Sequence, residues 1–182
     1  MARPTTRPSR KLTSQRRGGA DQTGAGDRSI IRPFLPGDLE RLRELRHVAD
    51  TLHARLLPGF FRVPGDVRVP ALERDAASEI LVVEGPDGVA GYVQVRIVDT
   101  PVHPAMTPAR RAHVETLVVA EGERRRGHGT RLMNEARRWA LGRGATELLL
   151  TVWSENGAAA GFYRALGYRP VAQVLRQTVD ES

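Results

Sequence analysis

The chain has 182 residues, enough for one compact domain and short for two. Hydrophobic residues make up 40% and charged residues 27%, and Cys is absent, which excludes a disulfide framework, zinc–thiolate and iron–sulfur sites and a cysteine nucleophile. The formal net charge of +7 is concentrated in residues 1–28, where seven basic side chains face two acidic ones; the near-neutral remainder makes nucleic acid an unlikely partner.

Residues 1–28, rich in Pro, Ser, Thr and Gly, are expected to be a disordered basic tail preceding a single domain over 29–182. Its opening residues lack the apolar middle of a secretory signal, and no apolar run nears the roughly 20 residues a membrane helix needs. A cytoplasmic protein with no membrane partner is the expectation.

Ser29–Phe34 reads as a strand closed by Pro36-Gly37. Asp38 is then placed to cap a helix carrying Leu39, Leu42, Leu45, Ala49 and Leu52 on one face. Prolines and glycines break residues 57–70, and a short helix is predicted near Ala71–Ala77. Glu79–Glu84 and Val89–Val98 form a hairpin around Gly85-Pro86-Asp87-Gly88. A Pro-rich loop follows over Asp99–Arg111, then a strand over Ala112–Val119. After the turn at Arg124–Gly129 comes a helix with Leu132, Met133, Ala136 and Ala140 on its buried stripe. The apolar run Glu147–Val152 predicts an interior strand covered on both faces. Asn156 caps a last helix that ends at Gly167, and Val171–Arg176 is predicted as a final strand. Antiparallel strands first and a βαβα unit later give an α+β sandwich with a mixed sheet.

The stretch Arg124-Arg125-Arg126-Gly127-His128-Gly129-Thr130 stands between a strand and an amphipathic helix. That arrangement aims free backbone N–H groups and a helix N-terminus at an anion. Glycines there let a phosphate approach the main chain, and the arginines add positive field. A mononucleotide P-loop would end in Gly-Lys-Ser/Thr, and a dinucleotide fingerprint would need glycine where Leu132 stands. Both fail.

The pattern Arg124-x-x-Gly127-x-Gly129 resembles the acyl-CoA signature of the GCN5-related N-acetyltransferase (GNAT) family. A second family motif follows in order, with Asn156, Ala159 and Phe162-Tyr163-Arg164-Ala165-Leu166-Gly167-Tyr168 after the strand ELLLTV. The likeness covers about Ile30 to Arg176. It implies a GNAT-like α/β/α sandwich around a mixed, mainly antiparallel sheet of six to seven strands, with acetyl-CoA as co-substrate and no metal. By resemblance, the backbone of Leu117, Val118 and Val119 pairs with the pantetheine arm. The N–H groups from Arg124 to Thr130, through Arg125, Arg126, Gly127, His128 and Gly129, hold the pyrophosphate, Asn156 lies near the pantetheine, and Tyr163 protonates the departing thiolate.

An alkyl ammonium with a pKa of about 10.4 cannot attack a thioester until a group removes its proton. The tetrahedral oxyanion then needs an N–H donor, and without Cys direct transfer in a ternary complex is the simplest route. His113 and Glu115 are two apart on one strand, so they share a face about 6.6 Å apart and are the candidate bases. Each has a plain alternative: Glu115 as a loop anchor, His113 as a half-exposed strand residue. Tyr163 also fits a core stripe, and the His128 side chain is expected to face solvent. Phe60-Phe61 either lines an acceptor pocket or plugs the space under the first helix. His47 and His53, six apart, do not have a metal-ligand spacing. The expected acceptor is a small-molecule or peptide amine, aminoglycosides and protein lysines included, with a homodimer left open. The competing reading is a non-catalytic acyl-CoA-binding sensor or partner domain.

Overall fold

The computed structural model describes residues 29–63, 65, 77–99 and 107–179. The expected tail, the helix near 71–76 and most of the Pro-rich loop lie outside the described residues. The elements are β1 (Ile30–Pro33), α1 (Leu39–Leu56), β2 (Ser78–Gly85), β3 (Gly88–Asp99), β4 (Arg110–Val119), α2 (His128–Leu141), β5 (Glu147–Leu150) and α3 (Gly157–Ala165). One sheet runs β1-β2-β3-β4-β5. Neighbours are antiparallel except β4 and β5, which are parallel.

The sheet has five strands among the described residues, not six to seven. Val171–Arg176, predicted as the last strand, is unpaired coil, with Val171 84%, Val174 90% and Leu175 89% exposed. Its apolar residues fall at i, i+3 and i+4, so they give no period-two face to bury. β5, expected in the sheet interior, is consequently an edge strand whose leucines are half-buried.

Each face of the sheet has its own core. Leu42 and Leu45 of α1 pack with Phe34, Ile80, Val82, Tyr92 and Val118 on one side. Leu132, Met133, Ala136 and Ala140 of α2 pack on the other with Leu81, Val83, Val93, Val95, Ala112 and Val114, joined by Phe162, Tyr163 and Leu166 of α3. Asp38 does stand before α1, but its carboxylate does not cap the helix. It accepts the Leu35 N–H at 2.8 Å and two bonds from Arg32, which also reaches Glu84 at 2.6 Å. Arg32 holds the Asp38 carboxyl below the ordinary range, so the entry to α1 is clamped to β1 and β2.

Two features shape the middle of the sheet. Gly91 crosses β4 so closely that a Cβ there would sit 2.6 Å from the Val118 carbonyl oxygen. A β-bulge also interrupts the β3–β4 register: Gln94 opposes Thr116 and Val95 opposes Val114, leaving Glu115 as the extra residue. Bulges bend a strand and tighten its twist. Here the paired register between β4 and β5 ends at the same level, at Val114–Leu150. Beyond it β4 runs on to Val119 with no β5 residue paired to its outer edge, and this unpaired stretch is here called the wedge.

Candidate functional site

One lip of the wedge is the outer edge of Glu115–Val119. The Val118 carbonyl faces Gly91 of β3, and Ala120 N–H bonds the Ala90 carbonyl at 2.8 Å. Backbone groups alternate direction along a strand. Leu117 and Val119 therefore turn their amides and carbonyls into the wedge, and Val118 does not. Of the three residues expected to pair with an extended ligand, two are oriented for it. The Val119 carbonyl already takes a bond from Arg124 Nε at 3.3 Å.

The wedge opens toward the start of α2. Gly127 is the N-cap with φ +84°, a left-handed conformation that favours glycine, and it offers no side chain to cap the helix. The first-turn N–H groups of His128, Gly129 and Thr130 thus lack intrahelical partners. Arg125 is also left-handed, at φ +63°. The turn therefore enters the helix through two left-handed residues, and the free first-turn amides of a helix favour an anion. The side chains of Arg124, Arg125 and Arg126 are exposed around it, Arg126 pairing with Glu123 at 3.3 Å.

Gly129 is also constrained by packing. A Cβ there would lie 3.2 Å from the Phe162 ring, so the glycine lets α3 approach α2. His128 is a correction: its side chain is 3% exposed, not solvent-facing. Nε2 lies 3.2 Å from Glu123 and Nδ1 3.5 Å from Ser29, whose carbonyl also accepts from Arg131 at 2.5 Å. The imidazole ties the turn to the start of β1. Ser29 carried no sequence signal for this partnership.

Asn156 caps the last helix as read: its side-chain oxygen accepts the Ala159 N–H at 3.1 Å at the start of α3. Tyr163 packs partly buried on the α2-side core, edge-on to Phe162 at 5.1 Å and to Tyr168 at 5.7 Å.

On the α1 face of the wedge, Glu115 lies 3.5 Å from the Arg96 guanidinium. His113 stands opposite Arg96 in the register and is half-buried. Both candidate bases do fall on one face, as their i, i+2 spacing requires, and the bulge brings Thr116 onto that face as well. Sequence reasoning missed their neighbours. Arg46 of α1 donates to Thr116 Oγ1 at 2.8 Å and to Asp50 at 2.9 Å, fastening α1 to β4 just beside the bulge. The fully buried Tyr92 hydroxyl lies near Arg46 and Thr116 without a well-formed hydrogen bond to either. Burial lowers the pKa of His53, one turn beyond Asp50 on α1.

All three tyrosines of the chain hold their protons unusually hard. Burial pushes Tyr92 and Tyr163 up to about 12 and raises Tyr168 as well. An unfolded chain would ionise them near pH 10 while the folded chain keeps them protonated. Their contribution to stability is thus complete below about pH 10 and is lost as pH rises toward about 12. Ultraviolet titration should find no tyrosinate forming at the ordinary value, with ionisation and thermal destabilisation arriving together above it. A tyrosine titrating like a free one would contradict the packing described.

A profile of the Acetyltransferase (GNAT) family matches residues 43–168, which span both wedge lips, the glycine turn and α3. The chain belongs to the GNAT family. It is 33% identical over 96 residues to an aminoglycoside N(6')-acetyltransferase type 1 of Klebsiella aerogenes, a match covering 52% of the chain and 62% of that protein. The chain spans less than two thirds of the curated relatives it matches. Its fold is that of the BH1408 protein of Bacillus halodurans, solved as a mutant, with a TM-score of 0.77 at 22% identity over 82% of this chain and 99% of that one. It is also similar to AAC(6')-Iy, solved with a bisubstrate CoA analogue, with a TM-score of 0.63 at 20% identity over 84% and 98%. Among the described residues no helix is long and apolar enough to cross a membrane, and no cluster of His, Asp and Glu has metal-binding geometry.

Proposed function

We propose that the protein is an acetyl-CoA-dependent N-acetyltransferase that acts on a small-molecule primary amine by direct transfer. One observation carries the reading: the wedge between β4 and β5 opens onto an uncapped, glycine-started helix N-terminus ringed by arginines. An extended thioester arm fits the first and a diphosphate the second. The curated relative named for aminoglycoside acetylation supports a small-molecule acceptor.

In this reading the open edges of Leu117 and Val119 hold the pantetheine arm, and the amides from Arg124 to Thr130 hold the diphosphate, with the Arg124–Arg126 side chains supplying field. Acetyl-CoA supplies an acetyl carbon activated by its thioester. Glu115, or His113 beside it, accepts the amine proton directly or through water, freeing the nitrogen lone pair. An amide on the β4 edge stabilises the oxyanion. Tyr163 keeps its proton throughout the neutral range and donates it toward the sulfur as the carbon–sulfur bond breaks, regaining one from water.

A second reading, a non-catalytic acyl-CoA-binding domain, draws on the ion pair that occupies Glu115 and the core packing of Tyr163. Release of free CoA separates the two. The enzyme should release it in the presence of amines. Tyr163→Phe should lower kcat by roughly 100-fold, the usual scale for a general acid, with acetyl-CoA affinity within about twofold. An unchanged kcat would withdraw Tyr163 from the reaction, and acetyl-CoA binding without release under any amine would favour the second reading.

A further inference from the structure

Beyond Leu150 the chain continues through Thr151 and Val152 to Trp153, which lies as many residues past the closed end of the wedge as Leu117 does on β4. Trp153 meets Phe60 at 5.0 Å and Phe61 at 4.8 Å between ring centroids, and Phe61 meets His53 at 5.4 Å. A turn after α1, in which the Phe60 and Phe61 N–H groups both bond the Leu57 carbonyl at 2.9 Å, carries the two phenylalanines there. None of these rings belongs to either core, and Phe60 is 52% exposed. They are not the plug under α1 that one sequence reading allowed. They are an aromatic surface just past the last paired residue of β5, resting on α1 at His53, one turn beyond Asp50.

Among the described residues around this surface, Glu115 is held by Arg96 and Asp50 by Arg46, and the exposed Glu155 beside Trp153 accepts a hydrogen bond from Ser154 Oγ at 2.7 Å. Arg176 lies 5.6 Å over the Phe60 ring and donates to the Gly59 carbonyl at 3.0 Å. An acceptor with several cationic groups would meet guanidiniums and carboxylates already engaged. An acceptor with one ammonium on a flat ring would stack against the aromatics and bring a single proton to the base.

Building on the acetyltransferase reading, we propose that Phe60, Phe61 and Trp153 form the acceptor wall, and that it selects a singly charged primary amine borne on an aromatic ring over polycationic amines. Aromatic contacts of this kind are worth up to about a factor of ten in affinity.

The test uses the full chain, saturating acetyl-CoA and thiol release with phenethylamine, kanamycin and spermidine as acceptors. Phenethylamine should show a kcat/KM about tenfold or more above the other two. Phe60→Ala should raise the phenethylamine KM by about tenfold, leave kcat and acetyl-CoA affinity within about twofold, and be rescued by Phe60→Tyr. Faster turnover of kanamycin or spermidine overturns the proposal. So does a Phe60→Ala KM equal to that of the parent, or acetyl-CoA binding with no acetylation of phenethylamine. If calorimetry shows no acetyl-CoA binding at all, the acetyltransferase reading fails and the acceptor wall falls with it.

Discussion

Gly91→Ala is expected to destabilise the protein by about 3 kcal/mol, at the upper end of what one added methyl does in a packed core. The new Cβ would lie 2.6 Å from the Val118 carbonyl oxygen and 3.0 Å from the Val119 Cα. Both are backbone atoms, so no rotamer change relieves the contact. β3 must lift away from β4, and β4 is the strand whose outer edge forms the wedge. Denaturant midpoints measure the effect, with Gly37→Ala as the control because nothing lies within 4 Å of a Cβ there. A Gly91→Ala midpoint equal to the control's would mean the strands do not approach as described. Acetyl-CoA affinity should fall in the folded fraction as well, because the displaced atoms belong to Val118 and Val119.

Gly129→Glu should abolish measurable acetyl-CoA binding, a loss of more than about 100-fold, while leaving the protein folded. The two effects separate by magnitude. An acidic residue in the first turn of a helix gains roughly 0.3–1 kcal/mol from the helix dipole, which offsets the small shift Phe162 must make for a Cβ 3.2 Å away. The same carboxylate stands among the amides assigned to the diphosphate and repels it. Calorimetry on Gly129→Glu and on Gly129→Ala, which adds bulk without charge, divides repulsion from packing. Full affinity in Gly129→Glu would remove the anion cradle, and equal losses in both variants would assign the effect to α3 packing.

Local signals in the sequence were faithful where structure depends on neighbours in the chain. Gly88, at φ +99°, turns the β2–β3 hairpin as the Gly-Pro-Asp-Gly run implies, and Asn156 caps α3 with the side chain the rule assigns. The glycine pattern and the second motif both lie within the stretch that the family profile matches. The rest depended on contacts between distant residues. An alternating strand does not announce which position is extra, so the bulge at Glu115 and the inward turn of Leu117 and Val119 were invisible. His128 looks like a solvent residue beside glycines, and its burial depends on Glu123 nearby and on Ser29 far away in the chain. Phe60 and Trp153 are separated by most of the domain, and no spacing rule joins them. Val171–Arg176 had the composition of a strand without its period.

The two lips of the wedge are unequally supported. β4 is paired to β3 along nearly its whole length, with Gly91 locking the two backbones together. β5 is joined to β4 over Glu147–Leu150 and by the Arg111–Glu147 ion pair at the closed end, and its outer edge has no strand beside it among the described residues. An inserted ligand therefore works against one rigid jaw and one compliant jaw. Under the proposed reading, strain from a bulky acyl chain would be relieved by β5 and the α3 it leads into, so tolerance for acyl length would be set by the jaw that carries Tyr163 and Trp153.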